Sequence, residues 1–259
     1  METVLSVNNL KKTFKLSKKQ QKIEKTKSKV KVAVNGLSFS VNKGEIFGLL
    51  GPNGAGKTTT LRMISTLLKA DEGDVIVNGK SIVNEPFEVR KQIGFLTSEL
   101  KLEDFFTPNY LFKFFSDLHG VPEDVAEQRK QSLFEKFGID EFQEVKVGDL
   151  STGMKQKLSI AVSLVHSPDV IVFDEPTNGL DVITAKTVTD YLKELKDEGK
   201  TVIVSTHIFS LVEKICDRVV VIVDGKMMLE GYTKELTKDK DLESVFFDLY
   251  SQVKGGDNL

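Results

Sequence analysis

The sequence predicts an α/β fold. A mostly parallel sheet carries helices on both faces, an antiparallel β unit stands at the N-terminus, and a helical segment is inserted between two mixed stretches. Three observations carry this. From residue 150 onward, helix-spaced and strand-spaced stretches alternate, the order that builds a parallel sheet. Residues 46–50 and 170–173 are continuous apolar runs, as strands buried on both faces require. Residues 99–148 have helical spacing and interrupt the alternation.

The elements follow in order. Val4, Leu5 and Val7 predict a short strand over residues 1–10. Val30, Val32 and Val34, continued by Leu37, Phe39 and Val41, alternate as a half-buried antiparallel partner would. Asn42-Lys43-Gly44-Glu45 is a turn, and 46–50 is the buried strand. Leu61, Ile64 and Leu68 then take up helical spacing. Residues 73–97 return to short strands around Asn78-Gly79 and Ile93-Gly94-Phe95-Leu96. The inserted stretch has one helix around Leu111, Phe112, Phe115 and Leu118 and a second around Leu133, Phe134 and Phe137, punctuated by Pro108 and Pro122. Beyond it the pattern predicts helices over 152–166, 182–198 and 208–216, with strands over 170–173, 201–205 and 218–223. Asp224-Gly225 is a turn, and 242–253 a short amphipathic helix before a polar tail.

Composition bounds the function. The 259 residues are 40% hydrophobic, 29% charged and 8% aromatic, values that exclude a fibrous or disordered chain. Cys216 is the single cysteine, so there is no disulfide scaffold and a reducing compartment is expected. No run of about 18 apolar residues predicts a membrane-spanning helix. Residues 1–10 lack a signal-peptide stretch. The protein is expected in the cytosol. Charge is uneven. Residues 11–31 hold ten lysines against Glu24; of 36 basic and 38 acidic residues, 26 and 37 remain elsewhere. This lysine run reads as a long connecting loop, solvated as like-charge blocks usually are. Its charge alone leaves a nucleic-acid or membrane-surface role open.

Gly51-Pro52-Asn53-Gly54-Ala55-Gly56-Lys57-Thr58 fits G-x-x-x-x-G-K-[ST]. The glycines let successive N–H groups converge on one anion, and the following helix adds its positive end. Lys57 brings a full charge to the terminal phosphates, and the Thr58 hydroxyl is a candidate Mg²⁺ ligand. Thr59 continues the loop into the helix. A buried strand enters and an apolar-periodic helix leaves, the context of a P-loop NTPase core. The strand at 170–173 ends on Asp174 and Glu175, which places two carboxylates at the edge where open α/β sheets bind ligands. Asp174 is the candidate metal residue; Glu175 is the candidate for orienting or deprotonating water. Leu150-Ser151-Thr152-Gly153-Met154-Lys155-Gln156 opens the helix before that strand. Ser151 is a good N-cap, and such a start is also an anion site.

In order and spacing, Gly51 to Thr58, Leu150 to Gln156, Asp174-Glu175-Pro176, Asn178-Gly179-Leu180-Asp181 and Ser205-Thr206-His207 resemble the nucleotide-binding subunit of ABC transporters. The resemblance implies an ATP- and Mg²⁺-dependent ATPase whose nucleotide-binding domain spans 1–235, with a helical subdomain at about 98–150 that docks membrane subunits and a short C-terminal helix and tail over 236–259. It implies a head-to-tail homodimer, or a pair with a paralogous ATPase subunit. Two ATPs lie between the loop at 51–59 of one copy and the signature motif, Leu150, Ser151, Thr152, Gly153, Met154, Lys155 and Gln156, of the other. Thr152 stands where the family usually has its first signature glycine. Asp181 is similar to the acid that crosses the interface, and His207 to the switch histidine that contacts the γ-phosphate. For His207 taken alone, a satisfied histidine at a strand end is the better reading. Phe14 stands where the family places an adenine-stacking aromatic, a core position being the alternative. Ser98 lies near the family's glutamine position and is a further candidate Mg²⁺ ligand. Integral membrane permease subunits are the implied partners, with the chain peripheral on the inner face of the cell membrane and no nucleic acid expected. Phe105, Phe106, Phe112, Phe114 and Phe115 exceed what one buried stripe needs, which fits a partner groove. Phe95-Leu96-Thr97-Ser98, 151–157 and 178–181 are closest to the sodium-exporter or ABC-2 exporter type. The alternative is a non-transport ABC ATPase acting on nucleic acid or ribosomes.

Overall fold

A computed structural model describes residues 2–23, 25–97 and 102–256. Two sheets organise the chain. The first is antiparallel and four-stranded, in the order β2-β1-β4-β5, from β1 (Thr3–Lys15), β2 (Val30–Asn42), β4 (Glu72–Val77) and β5 (Lys80–Ser81). The second has six strands in the order β10-β9-β3-β8-β7-β6. They are β3 (Ile46–Leu50), β6 (Ile93–Thr97), β7 (Val170–Asp174), β8 (Thr201–Thr206), β9 (Arg218–Val223) and β10 (Lys226–Tyr232). All pairings in it are parallel except β9 with β10.

The unbroken apolar runs have a simple cause. Alternate residues of each central strand feed two different cores. Ile46, Ile171, Phe173, Val202, Val204 and Val221 join a cluster with the inserted helices. Phe47, Leu49, Val170, Val172, Ile203 and Val220 join a second cluster with the antiparallel sheet and α2 (Lys57–Ile64). A strand with apolar neighbours on both faces shows no polar alternation.

The lysine run differs from the expected loop. Strand β1 continues to Lys15, β2 starts at Val30, and α1 (Lys18–Ile23) occupies part of the connection. Charge repulsion within the run is offset across the sheet. Lys11 pairs with Glu72 at 2.6 Å and Lys12 with Asp71 at 2.7 Å. Cross-strand pairing of this kind is invisible to a local reading.

Other boundaries move less. Residues 73–97 contain a helix, α3 (Pro86–Gln92), between the predicted strands, opened by proline in its first turn. The inserted helices are α4 (Pro108–Leu118), capped by Thr107, and α5 (Glu123–Phe137), closed by Gly138 at φ +63°. Phe112 and Phe134 meet edge to face at 5.5 Å between them. Helix α6 (Thr152–Ser163) stops three residues short of 166. It is followed by α7 (Val182–Asp197), α8 (Phe209–Ile215), α9 (Thr233–Leu236) and α10 (Leu242–Gly256). Among the described residues, no helix is long and apolar enough to cross a membrane.

Candidate nucleotide site

The sheet order assembles the site. Strands β3, β8 and β7 are consecutive neighbours, so Gly51, His207 and Glu175 leave adjacent strand ends at one edge. Asp174 is the last residue of β7, with Ser205 of β8 opposite it. The Asp174 carboxylate is buried and accepts from the Ser205 hydroxyl. It also accepts from Thr58 Oγ1 at 3.0 Å.

The glycine loop is held from outside. Gly225 N–H donates to Ala55 O at 3.0 Å, and Asn35 N–H donates to Gly225 O at 2.8 Å. The predicted Asp224-Gly225 turn thereby clips the loop to β2. Gly56 takes φ +105°, and a Cβ there would lie 2.3 Å from Ala33 O. Only glycine fits so close to another strand's backbone. Gly56 is also the N-cap of α2 and supplies no side-chain cap. The first N–H groups of α2 thus lack the side-chain acceptor that Ser151 gives α6 and Asp181 gives α7.

Lys57 is 5% exposed. Its ammonium donates to Gly51 O at 2.7 Å and Pro52 O at 3.3 Å, and lies 3.5 Å from Glu175 Oε1. Burial lowers its pKa below the ordinary lysine value, while Glu175 and then Asp174 oppose that shift. Glu175 has a second partner. His207 Nδ1 is 3.0 Å from both of its carboxylate oxygens. The Glu175 backbone is left-handed, φ +52°, a conformation that costs a non-glycine residue about 1 kcal/mol. Its N–H is tied to Ser205 O at 3.1 Å. Strain held by neighbouring hydrogen bonds is common where a side chain must be aimed.

A cleft of about 310 Å³ opens beside these groups, lined by Phe14, Lys31, Ala33, Gly54, Lys57 and Glu175 among others. Phe14 is 37% exposed, which removes the core alternative. Lys31 lies opposite it across the β1–β2 pair and escapes the sequence reading as a site residue; Ser205 is read there only as part of the Ser205-Thr206-His207 motif, with no role of its own. A serine directly after the apolar run Val202-Ile203-Val204 is the available signal for Ser205. The donor set fits a magnesium polyphosphate. Two oxygen ligands, Thr58 Oγ1 and Asp174 Oδ1, suit an ion that keeps waters and phosphate oxygens as its other ligands. Uncapped amides and a buried ammonium suit the phosphates.

The other predicted residues lie elsewhere. None of Leu150 to Gln156 lines the cleft. Ser151 accepts from Met154 N–H at 3.2 Å, Leu150 and Met154 face the core, and Gln156 Nε2 donates to Pro176 O at 3.2 Å. Lys155 Nζ lies 3.4 Å from Asp104 Oδ1. Thr152 is exposed, and a Cβ on Gly153 would meet Thr184 Oγ1 at 3.0 Å. Asp181 accepts from Ile183 and Thr184 N–H, both at 3.0 Å. Ser98 lies outside the described residues.

Comparison with known proteins places the fold in a family. Residues 34–178 match the ABC transporter family. The ABC transporter ATP-binding protein NatA of Bacillus subtilis is 38% identical over 231 residues, covering 89% of this chain and 94% of that protein. Nod factor export ATP-binding protein I of Burkholderia orbicola is 40% identical over 201 residues, 78% of this chain and 66% of that protein. Among solved structures, an ATP-binding subunit of an ABC transporter superposes with a TM-score of 0.82 at 25% identity, covering 96% of this chain and 100% of its own. A dimeric ATP-binding cassette in a post-hydrolysis state, bound to ADP and Pi, gives 0.77 at 25% identity, covering 88% and 98%. The chain belongs to the ABC transporter family, as an ATP-binding and ATP-hydrolysing subunit.

Proposed function

We propose that this chain is the motor of an exporter. Two copies, or one copy and a paralogous subunit, pair head to tail and clamp two ATPs. The observation that carries the reading is a cleft lined by Lys57, Thr58 and Glu175, backed by Asp174 on the Thr58 hydroxyl and His207 on the Glu175 carboxylate, with the signature residues outside its lining. A cleft that lacks its second anion-binding helix within the chain is completed by a twofold-related copy, which supplies that helix twice.

Each residue then has one task. Phe14 stacks on the adenine and Lys57 neutralises the terminal phosphates. Gly51 to Thr59 wrap the phosphates with backbone N–H groups. Thr58 and Asp174 would hold Mg²⁺, which lends charge neutralisation to the phosphate oxygens. Glu175 orients or deprotonates the attacking water. His207 fixes the Glu175 carboxylate and meets the γ-phosphate. Ser151, at the start of α6, contacts that phosphate from the other copy, and Asp181 crosses the seam beside it. Catalysis is mostly positioning and charge stabilisation.

Work passes out through the insert. Phe105, Tyr110, Phe114 and Leu118 are exposed there. Tyr110 stacks with Phe106 at 4.4 Å and with Phe114 at 6.2 Å. An aromatic strip on α4 and the turn before it suits an apolar segment of a membrane permease. The chain then sits on the cytoplasmic face through that partner and drives export, the direction for which the Nod factor export relatives are named. Among the described residues and the relatives named above, none favours the nucleic-acid alternative. Lys57→Ala tests the reading. ATP affinity of the purified chain is expected to fall at least tenfold by equilibrium titration, and unaltered affinity refutes the phosphate role.

A further inference from the structure

The C-terminal helix offers a surface that the proposed motor does not use. Leu242, Phe246 and Tyr250 recur every fourth residue along α10, the spacing of one helix face. Leu242 and Phe246 are buried, and Phe246 packs on Phe209 of α8 with ring centroids 5.2 Å apart. Leu242 N–H donates to Glu213 Oε1 at 2.6 Å, which ties the helix down at its start. Phe247 lies off the buried stripe and is 52% exposed. It joins Pro52, His207, Phe209, Phe246 and Tyr250 around an open cavity of about 340 Å³. The floor is aromatic, and the rim is the glycine loop and the histidine after β8.

A second apolar feature is equally bare. Val182 and Ile183 open α7 at 86% and 79% exposed, the highest values among the described large apolar side chains. Asp181 fixes their direction by capping α7 through the Ile183 and Thr184 N–H groups and the Thr184 hydroxyl. Capping needs neither side chain to be apolar. β-Branched residues held this way project rigidly.

We propose that these are two halves of one contact: Val182 and Ile183 of a second copy seat in the aromatic cavity between α10 and the Pro52–His207 rim. The proposal rests on the head-to-tail reading above. In that pair Asp181 of one copy lies at the seam beside the γ-phosphate that the glycine loop and His207 of the other copy hold, and Val182 is the next residue. Cavity and apolar pair therefore meet on one continuous seam. By twofold symmetry the seat occurs twice. It forms only on closure and touches Pro52 and His207, so α10 stabilises the closed, ATP-loaded state selectively.

Crosslinking in the Glu175→Gln chain tests this. Cys216, the one native cysteine, is buried and leaves a low background. Ile183→Cys with Phe247→Cys is expected to give an intersubunit disulfide on mild oxidation with ATP and none without it. Asn53→Cys with Thr152→Cys reports head-to-tail closure separately. If the second pair crosslinks and the first does not, the seat is overturned while the dimer stands. If neither crosslinks, the dimer reading fails and the seat with it. Phe247→Ser, at an exposed position, adds an equilibrium measurement. ATP-driven dimerisation by sedimentation is expected to weaken about tenfold per seat, or about a hundredfold for two, with ATP affinity and melting temperature of the monomer unchanged. Dimerisation equal to the parent's overturns the proposal.

Discussion

Replacing Glu175 by glutamine separates charge from shape. Gln tolerates φ +52° about as well as Glu, so backbone strain is constant. What changes is the charge facing Lys57 at 3.5 Å, with the two side chains 5% and 13% exposed. At an effective dielectric of about 20, two unit charges at that distance attract by about 5 kcal/mol. Desolvation offsets much of this, and Lys57 keeps its bonds to Gly51 O and Pro52 O. A net loss of about 1–3 kcal/mol in nucleotide-free stability is expected. ATP binding brings phosphates to the same ammonium and takes a negative charge towards the carboxylate. The variant is therefore expected to bind ATP at least fivefold more tightly than the parent. Hydrolysis is expected to fall about 10²–10⁴-fold, the usual worth of a positioned base, so the ATP-bound dimer accumulates. Three assays read this: thermal melting without nucleotide, equilibrium ATP titration and single-turnover phosphate release. Turnover within threefold of the parent refutes the role of Glu175. Unaltered nucleotide-free stability refutes the Lys57–Glu175 pair as an energetic element of the resting state.

Two further outcomes follow from buried geometry. His166 stacks on His119 with ring centroids 4.0 Å apart, and burial, then the His119 ring, pushes its pKa down to about 4. Between its unfolded value of about 6.5 and that figure, the unfolded chain binds a proton that the native chain refuses. Stability therefore falls as pH drops through this window, by at most about 1.4 kcal/mol per pH unit and no more than about 3 kcal/mol in all. In His166→Phe, which keeps a stacked ring, urea midpoints at pH 7.5 and pH 5 are expected to draw together; an undiminished gap assigns the acid sensitivity elsewhere. Gly56→Ala places a Cβ 2.3 Å from Ala33 O at φ +105°, so a loss of about 3 kcal/mol or more is expected in denaturant unfolding. A variant as stable as the parent contradicts the tight approach of loop to strand.

Local patterns reached far in this chain. The glycine loop, the acidic pair at the end of β7 and the capped start of α6 are each set by neighbours within a few residues, so composition and spacing reveal them. The unbroken apolar runs announced strands covered on both faces. The sequence could not say which strands adjoin. Strand β8 lies between β3 and β7, and that order brings Lys57, Asp174, Glu175 and His207 together across more than a hundred residues. Ser205 acquires its partner, Asp174, only through that pairing. The lysine run was misread for a related reason. Its first residues find Asp71 and Glu72 across a sheet, and a run of like charge carries no trace of distant acids. Phe14 was undecided until β1 and β2 turned it towards the cleft. Short-range chemistry is written in the order of residues. Which strand ends share an edge follows from how two apolar faces can be covered at once, and that is a property of the whole fold.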